Sequence, residues 1–329
     1  MADYKGIRGF KVQSLASDPT ANEGQVWYNT TTNVLKYDAV GAGAWASGGD
    51  LVAAKHSAGG AGTQTATLSI GGVTPPGTPG VDSESYDGTT WTEGNNLVSA
   101  LGYTCGIGIQ TAALAAGGCQ YNGSPCMRAF VQSYDGTCWS EGNDLQAARG
   151  IMGGAGTQTA GLVFGGGEPQ IDSTETWNGT SWTEVANLNG VRMGQAGFGA
   201  TNTAAISAGG RPTPPVADIA LSETWDGTSW SEGNNINTAR KFVAGSGTTT
   251  AGIIFGGTIS ASDTKSALTE LYNGTCWTEV ADMATARMAE SGVYSPSSLS
   301  IAFGGQSPNV KTTEEWNGAP ATVKTVTTS

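Results

Sequence analysis

The chain has 329 residues, of which 51 are glycine and only 13% are charged. Its 27 acids outweigh its 15 bases, a formal net charge of −12; a protein that grips nucleic-acid phosphates needs a basic footprint, so none is expected here. No apolar run of about 20 residues occurs, so no helix inserted in a membrane is expected, and no apolar stretch follows Met1-Ala2-Asp3-Tyr4-Lys5 to make a signal peptide.

Residues 1–24 have too little periodicity for a domain. They carry the apolar side chains Ile7, Phe10, Val12 and Leu15 in a segment too short to bury them, which predicts an extended arm that docks on a neighbouring chain. Val34-Leu35-Lys36-Tyr37-Asp38 up to Trp45 reads as the last two strands of a sheet that lacks its first two. A unit then recurs. An apolar run ends in Gly-Gly at 71–72, 117–118, 165–166, 209–210, 256–257 and 304–305. An aromatic residue, a turn dipeptide and Trp-[Thr/Ser]-Glu follow, from Tyr86 to Glu93, Tyr134 to Glu141, Trp177 to Glu184, Trp225 to Glu232 and Tyr272 to Glu279. The tryptophans Trp91, Trp139, Trp182, Trp230 and Trp277 are spaced 48, 43, 48 and 47 residues apart. A fixed period of this length means a repeat architecture.

Each repeat reads as four short strands. Leu162-Val163-Phe164 before Gly165-Gly166 is a buried strand; Thr174 to Trp177 alternates; Asn178-Gly179 predicts a type I′ hairpin turn; Ser181-Trp182-Thr183-Glu184 opens the outer strand. Gly153, Gly154, Ala155 and Gly156 suit an innermost strand, where sheets crowd together. This order, over residues 34–318, resembles the kelch repeat of β-propellers. The resemblance implies an all-β, kelch-type β-propeller of six blades, each of four antiparallel strands, with seven as the alternative. In the six-blade closure, the strand carrying Trp45 completes the blade begun by residues 286–318; in the seven-blade one, residues 25–46 and 321–329 build a further blade. The expected division is a docking arm at 1–24 and a propeller at 25–329. Trp45 and the five cassette tryptophans are expected to be structural and buried between neighbouring blades.

Residues that could carry chemistry are few. The five cysteines are odd in number, lack a Cys-x-x-Cys pair, and include Cys138 and Cys276 in a slot where other repeats have Thr90, Ser181 and Ser229. They read as reduced packing residues, although Cys119 and Cys126 flank one loop and can pair. His56 is the only histidine, too few for a copper site or a catalytic triad, and it falls where other repeats carry Ala-Arg. Arg149, Arg192, Arg240 and Arg287 recur at one position and are expected to pair within their blades, with Glu141, Glu184, Glu232 and Glu279 as candidate partners. No catalytic residue, metal or cofactor is expected, and the chain reads as a non-enzyme.

The segments after each Gly-Gly vary in length and content, whereas the cassette turns are uniform. In an up-and-down propeller these segments share one face with the blade-to-blade connections, which makes that face a binding surface. Tyr121, Arg128, Phe130, Pro214 and Pro215 are candidate partner contacts there. Finally, Glu23-Gly24-Gln25-Val26-Trp27-Tyr28-Asn29-Thr30-Thr31 resembles phrases in virion structural proteins of tailed, chiefly marine, phages. That resemblance implies a tail, fibre or surface-decoration component, made in the host cytoplasm and carried on the particle. It would bind other virion proteins, copies of itself, or a host surface receptor in adsorption. Two other readings stand beside it: a glycan-binding or glycan-cleaving propeller, and a kelch adaptor that binds a peptide on its loop face.

Overall fold

The computed structural model describes residues 12–18, 26–39, 43–120, 126–213, 217–259, 263–293, 296–306, 310–318 and 322–326. Among them there is no α-helix, and so none long and apolar enough to cross a membrane. The chain divides into two compact units, Ala44–Asn317 and, separately, Met1–Gly43 with Gly318–Ser329.

The smaller unit moves the expected boundary. Gln13–Leu15, Val26–Asn29, Val34–Ala39 and Thr322–Thr325 form a four-stranded sheet, with Gln13–Leu15 parallel to Val26–Asn29. Within the stretch expected to dock on a neighbouring chain, Gln13–Leu15 thus contributes a strand to the chain's own sheet. Asp18 fastens it by accepting hydrogen bonds from Trp27 Nε1 (3.2 Å), Asn29 Nδ2 (2.8 Å) and Lys36 Nζ (2.8 Å). Val34–Ala39 belongs to this sheet rather than to the one containing Trp45. Leu15 is half-buried, opposite Asn29, and Val12 is exposed; Ile7 and Phe10 lie outside the described residues.

In the larger unit, five four-stranded antiparallel sheets follow in chain order. The first contains Gly59–Thr63, Ala66–Ile70, Ser83–Tyr86 and Trp91–Glu93. The second contains Cys105–Ile109, Ala112–Cys119, Met127–Tyr134 and Trp139–Glu141. The third begins at Gly153–Thr157, the fourth at Ala196–Thr201 and the fifth at Ala244–Thr248. The sixth pairs Leu299–Phe303 and Thr313–Asn317 with Ala44–Ser47, so that Trp316 stands opposite Trp45.

The Gly-Gly marker has a backbone cause. Gly71 and Gly72 have φ of +57° and +103°, and a β-carbon on Gly71 would collide with the carbonyl of Leu101. The second glycine's amide donates to the connection leading to the next sheet: Gly72 to Leu101, Gly166 to Arg192, Gly305 to Lys55. Gly71→Ala should therefore cost about 1–3 kcal/mol. An unchanged urea midpoint would show that the turn relaxes freely.

The cassette turn differs from the expected type I′ hairpin. It is a four-residue loop, with Tyr86 paired to Trp91, in which Gly88 (φ +91°) has positive φ and Asp87 does not. Asp87 Oδ1 instead accepts the amides of Thr89 and Thr90, both at 2.8 Å. Asp135, Asn178, Asp226 and Asn273 repeat the arrangement. The side-chain oxygen does the work of a second positive φ. The slot before Trp is thus a turn position, and Cys138 and Cys276 are exposed in it rather than packed. Cys119 and Cys126, read as reduced, are joined as a disulfide with Cα atoms 4.8 Å apart.

The core lies between sheets. Leu68, Leu97 and Trp139 cluster between the first and second, Phe164, Leu188 and Trp230 between the third and fourth, and Phe255, Met283 and Trp316 between the fifth and sixth. Phe303 of the sixth sheet packs with Tyr86 and Trp91 of the first. Trp91, Trp139, Trp182, Trp230 and Trp277 are all buried in such clusters, each stacked on the aromatic five residues earlier; Trp45 is half-buried. Trp230 Nε1 reaches Thr174 of the preceding sheet, and Trp91 Nε1 reaches Thr313.

Beneath five of the six connections lies a buried ion pair, with a different acid from the one expected. Arg149, Arg192, Arg240 and Arg287 bind Glu175, Glu223, Glu270 and Glu314, each in the strand just before the cassette turn of the sheet that follows, and Lys55 binds Glu84 at 2.8 Å. The cassette glutamates Glu141, Glu184, Glu232 and Glu279 are exposed. His56 sits one residue past the basic slot, which Lys55 fills. Its Nδ1 lies 2.9 Å from Ser57 Oγ, and burial holds its pKa below the usual value.

Candidate functional site

Where each connection enters an innermost strand, one residue takes left-handed backbone: Ser57 (φ +52°), Tyr103 (+58°), Ile151 (+57°), Gly194 (+67°), Phe242 (+54°) and Ala289 (+52°). Their amides link one connection to the one before. Tyr103 donates to Ser57 (2.8 Å), Ile151 to Tyr103 (3.0 Å), Gly194 to Ile151 (2.9 Å), Ala289 to Phe242 (3.3 Å) and Ser57 to Ala289 (2.7 Å). Val243 supplies the donor to Gly194, at 3.4 Å. These six residues border a cavity of about 150 Å³ that is also lined by Gly60, Gly106, Gly154, Gly197 and Gly245 of the innermost strands and by Gly292.

Glycine occupies this conformation without strain, and this chain uses it freely. Aromatic and β-branched residues rarely do, at a cost of about 1–2 kcal/mol each. Tyr103, Ile151 and Phe242 are nevertheless half-exposed there. Strain retained at a cavity mouth directs attention to the side chains it holds in place. Polar groups surround them. Burial, and then the charge of Glu168, raises the Tyr103 phenol above its usual pKa. Lys241 lies 5.4 Å over the Phe242 ring and 2.6 Å from Asp263. Asp218 approaches Lys241 (3.9 Å) and Arg211 (4.0 Å); burial raises its pKa while the two bases pull it down.

Of the candidate contacts read from the sequence, Arg128 and Phe130 do not line this cavity. Arg128 and Phe130 are half-buried in the third strand of the second sheet. Arg128 donates to Gln120 Oε1 (3.4 Å) and to the Met127 carbonyl (3.0 Å). Phe130 lines a separate cavity of about 290 Å³ with Ser99, Glu141 and Asp144. Tyr121, Pro214 and Pro215 lie outside the described residues. Tyr103, Ile151 and Phe242 were not singled out by sequence. Their only signal is a bulky residue two positions past the basic slot, where Ala289 and Gly194 show that small residues also fit. Among the described residues, no three His, Cys, Asp or Glu side chains converge to hold a metal ion. Compared with known proteins, the chain matches no family model and resembles no curated sequence significantly.

Proposed function

We propose that Ala44–Asn317 is a six-bladed, kelch-like β-propeller. We further propose that the chain is a non-enzymatic interaction module of a tailed-phage virion, binding another protein through the face that carries Tyr103, Ile151 and Phe242. The Gly-Gly marker and the positive-φ rim residue, each repeated six times in register, support the blade count, together with contacts that return from the sixth sheet to the first. Gln64, in the first sheet's inner turn, donates to the carbonyls of Ser300 and Trp316, just as Gln110 donates to those of Thr67 and Tyr86 one sheet later. The virion assignment rests on the resemblance of residues 23–31. The binding face rests on a single observation, the bulky side chains held at positive φ around the cavity.

The test is Tyr103→Gly with Phe242→Gly. Both changes relieve backbone strain, so the fold should keep its unfolding free energy to within about 1 kcal/mol. Incorporation into particles, scored by immunogold electron microscopy, should be lost. Normal incorporation of a fully folded double variant would remove this face from the binding assignment. A second reading, glycan binding, draws on the cavity where Phe130 faces Glu141 and Asp144, an aromatic surface beside acceptor oxygens. Its test is oligosaccharide binding that Phe130→Ala abolishes.

A further inference from the structure

The residue after each cavity-rim residue enters the seam between two sheets: Ala58, Thr104, Met152, Gln195, Val243 and Glu290. Each lies beside the second glycine of its own sheet's Gly-Gly, and the longer ones reach the first glycine of the preceding sheet. Gln195, 4% exposed, extends between the third and fourth sheets and donates from Nε2 to the carbonyl of Phe164, at 2.9 Å. Glu290, 7% exposed, takes the same path between the fifth and sixth sheets, and its carboxyl lies against Gly256. Phe255 precedes Gly256 as Phe164 precedes Gly165.

Neither oxygen of Glu290 has a hydrogen-bond partner. Its own amide and that of Gly257 face it without closing a bond, and the charges nearest it are Arg287 and Arg240. Those guanidinium groups are already committed to Glu314 and Glu270. A buried carboxylate without donors pays a heavy desolvation cost, whereas the neutral acid carries an O–H that can donate as an amide does.

We propose that Glu290 is a proton-held latch. As the neutral acid it donates to the carbonyl oxygen of Phe255, as Gln195 does to Phe164, and loss of the proton loosens the seam between the fifth and sixth sheets. Ala289, beside it, belongs to the cavity rim, so the change is felt at the candidate binding face. Burial pushes the Glu290 carboxyl up to about 8, against the pull of Arg287 and Arg240. The folded pKa therefore stands above the unfolded one, and the native chain holds a proton that the unfolded chain has released. The latch's contribution is complete below the ordinary glutamate range, falls as pH rises toward about 8, and is flat beyond it.

Glu290→Gln supplies a permanent donor, which makes it the reference. Folding equilibrium constants of wild type and Glu290→Gln are to be compared by urea unfolding from pH ~5 to ~9. The ratio of wild type to variant should fall about tenfold per pH unit up to pH ~8 and then level off. A ratio independent of pH overturns the latch. So does one that rises with pH, which would mean an ionised Glu290 stabilised by the arginines or by a cation. If the variant does not fold, carbon-13 NMR of glutamate-labelled wild type decides. One carboxyl titrating far above the others is expected, and none doing so refutes the proposal.

Discussion

Glu270→Ala should destabilise the chain by about 3–5 kcal/mol, among the largest losses available from one substitution. Arg240 and Glu270 are both 0% exposed and meet at 2.8 Å. Burial lowers the Arg240 pKa, and the charge of Glu270 pulls it back up. Removing Glu270 leaves that guanidinium charged, desolvated and unanswered. It also strips the connection that leads into its own sheet of its cap, because Glu270 Oε2 accepts the amide of Asn237 (2.7 Å) and its Nδ2 (2.9 Å). The second sheet already contains the neutral alternative. There Leu101 stands in the basic slot and Gln132 in the acidic one, and Gln132 Oε1 still accepts the amide of Val98 at 2.7 Å. Arg240→Leu with Glu270→Gln should therefore recover about half the loss or more. Urea unfolding of the single and double variants decides the matter. A double variant as unstable as Glu270→Ala would mean that the cap, rather than the stranded charge, carries the energy.

The second large effect is Trp91→Ala, with an expected cost of about 3–5 kcal/mol. Trp91 stacks on Tyr86 (centroids 5.0 Å apart), packs on Phe303 (4.9 Å) and donates to Thr313 Oγ1 at 2.9 Å. The first two contacts are apolar area; the third leaves a buried hydroxyl without its donor. Trp45→Ala should cost clearly less, because Trp45 is half-buried, although it too donates across a seam, to Thr269. Chemical denaturation of both variants provides the ranking. Equal losses would show that the strand Ala44–Ser47 matters as much as an internal one, and a stable Trp91→Ala would remove the cassette tryptophan from the core.

The repeats were legible because their markers are backbone necessities. Two successive positive φ angles demand glycine, and a seam between sheets demands a large flat side chain at a fixed place. The partners of the arginines were not legible from period alone, since two series of glutamates keep the same spacing. The second repeat held the answer. It loses its base at Leu101 and its third-strand acid at Gln132 together, yet keeps Glu141, so the acid that vanishes with the base is the partner. Leu51, Leu97, Leu145, Leu188, Ile236 and Met283, each six residues after a tryptophan, are a further buried series that the same comparison reveals. Tyr103, Ile151 and Phe242 had no such signal, because positive φ in a bulky residue is imposed by its surroundings and leaves no mark in composition. The strand Gln13–Leu15 was also hidden, being too short to show a period.

A sheet assembled from residues 299–317 and 44–47 sets an order in time. As a ribosome releases this chain, each of the first five sheets can form once its own residues have emerged, from local hairpins with little loop to close. The segment around Trp45 has no such neighbour. It must wait, with its apolar side chain and strand edge unpaired, until more than 260 later residues have been made. For that interval the nascent chain is most exposed to mispairing with another copy, and its rate of successful maturation is set by the last strand to arrive rather than by the first to fold.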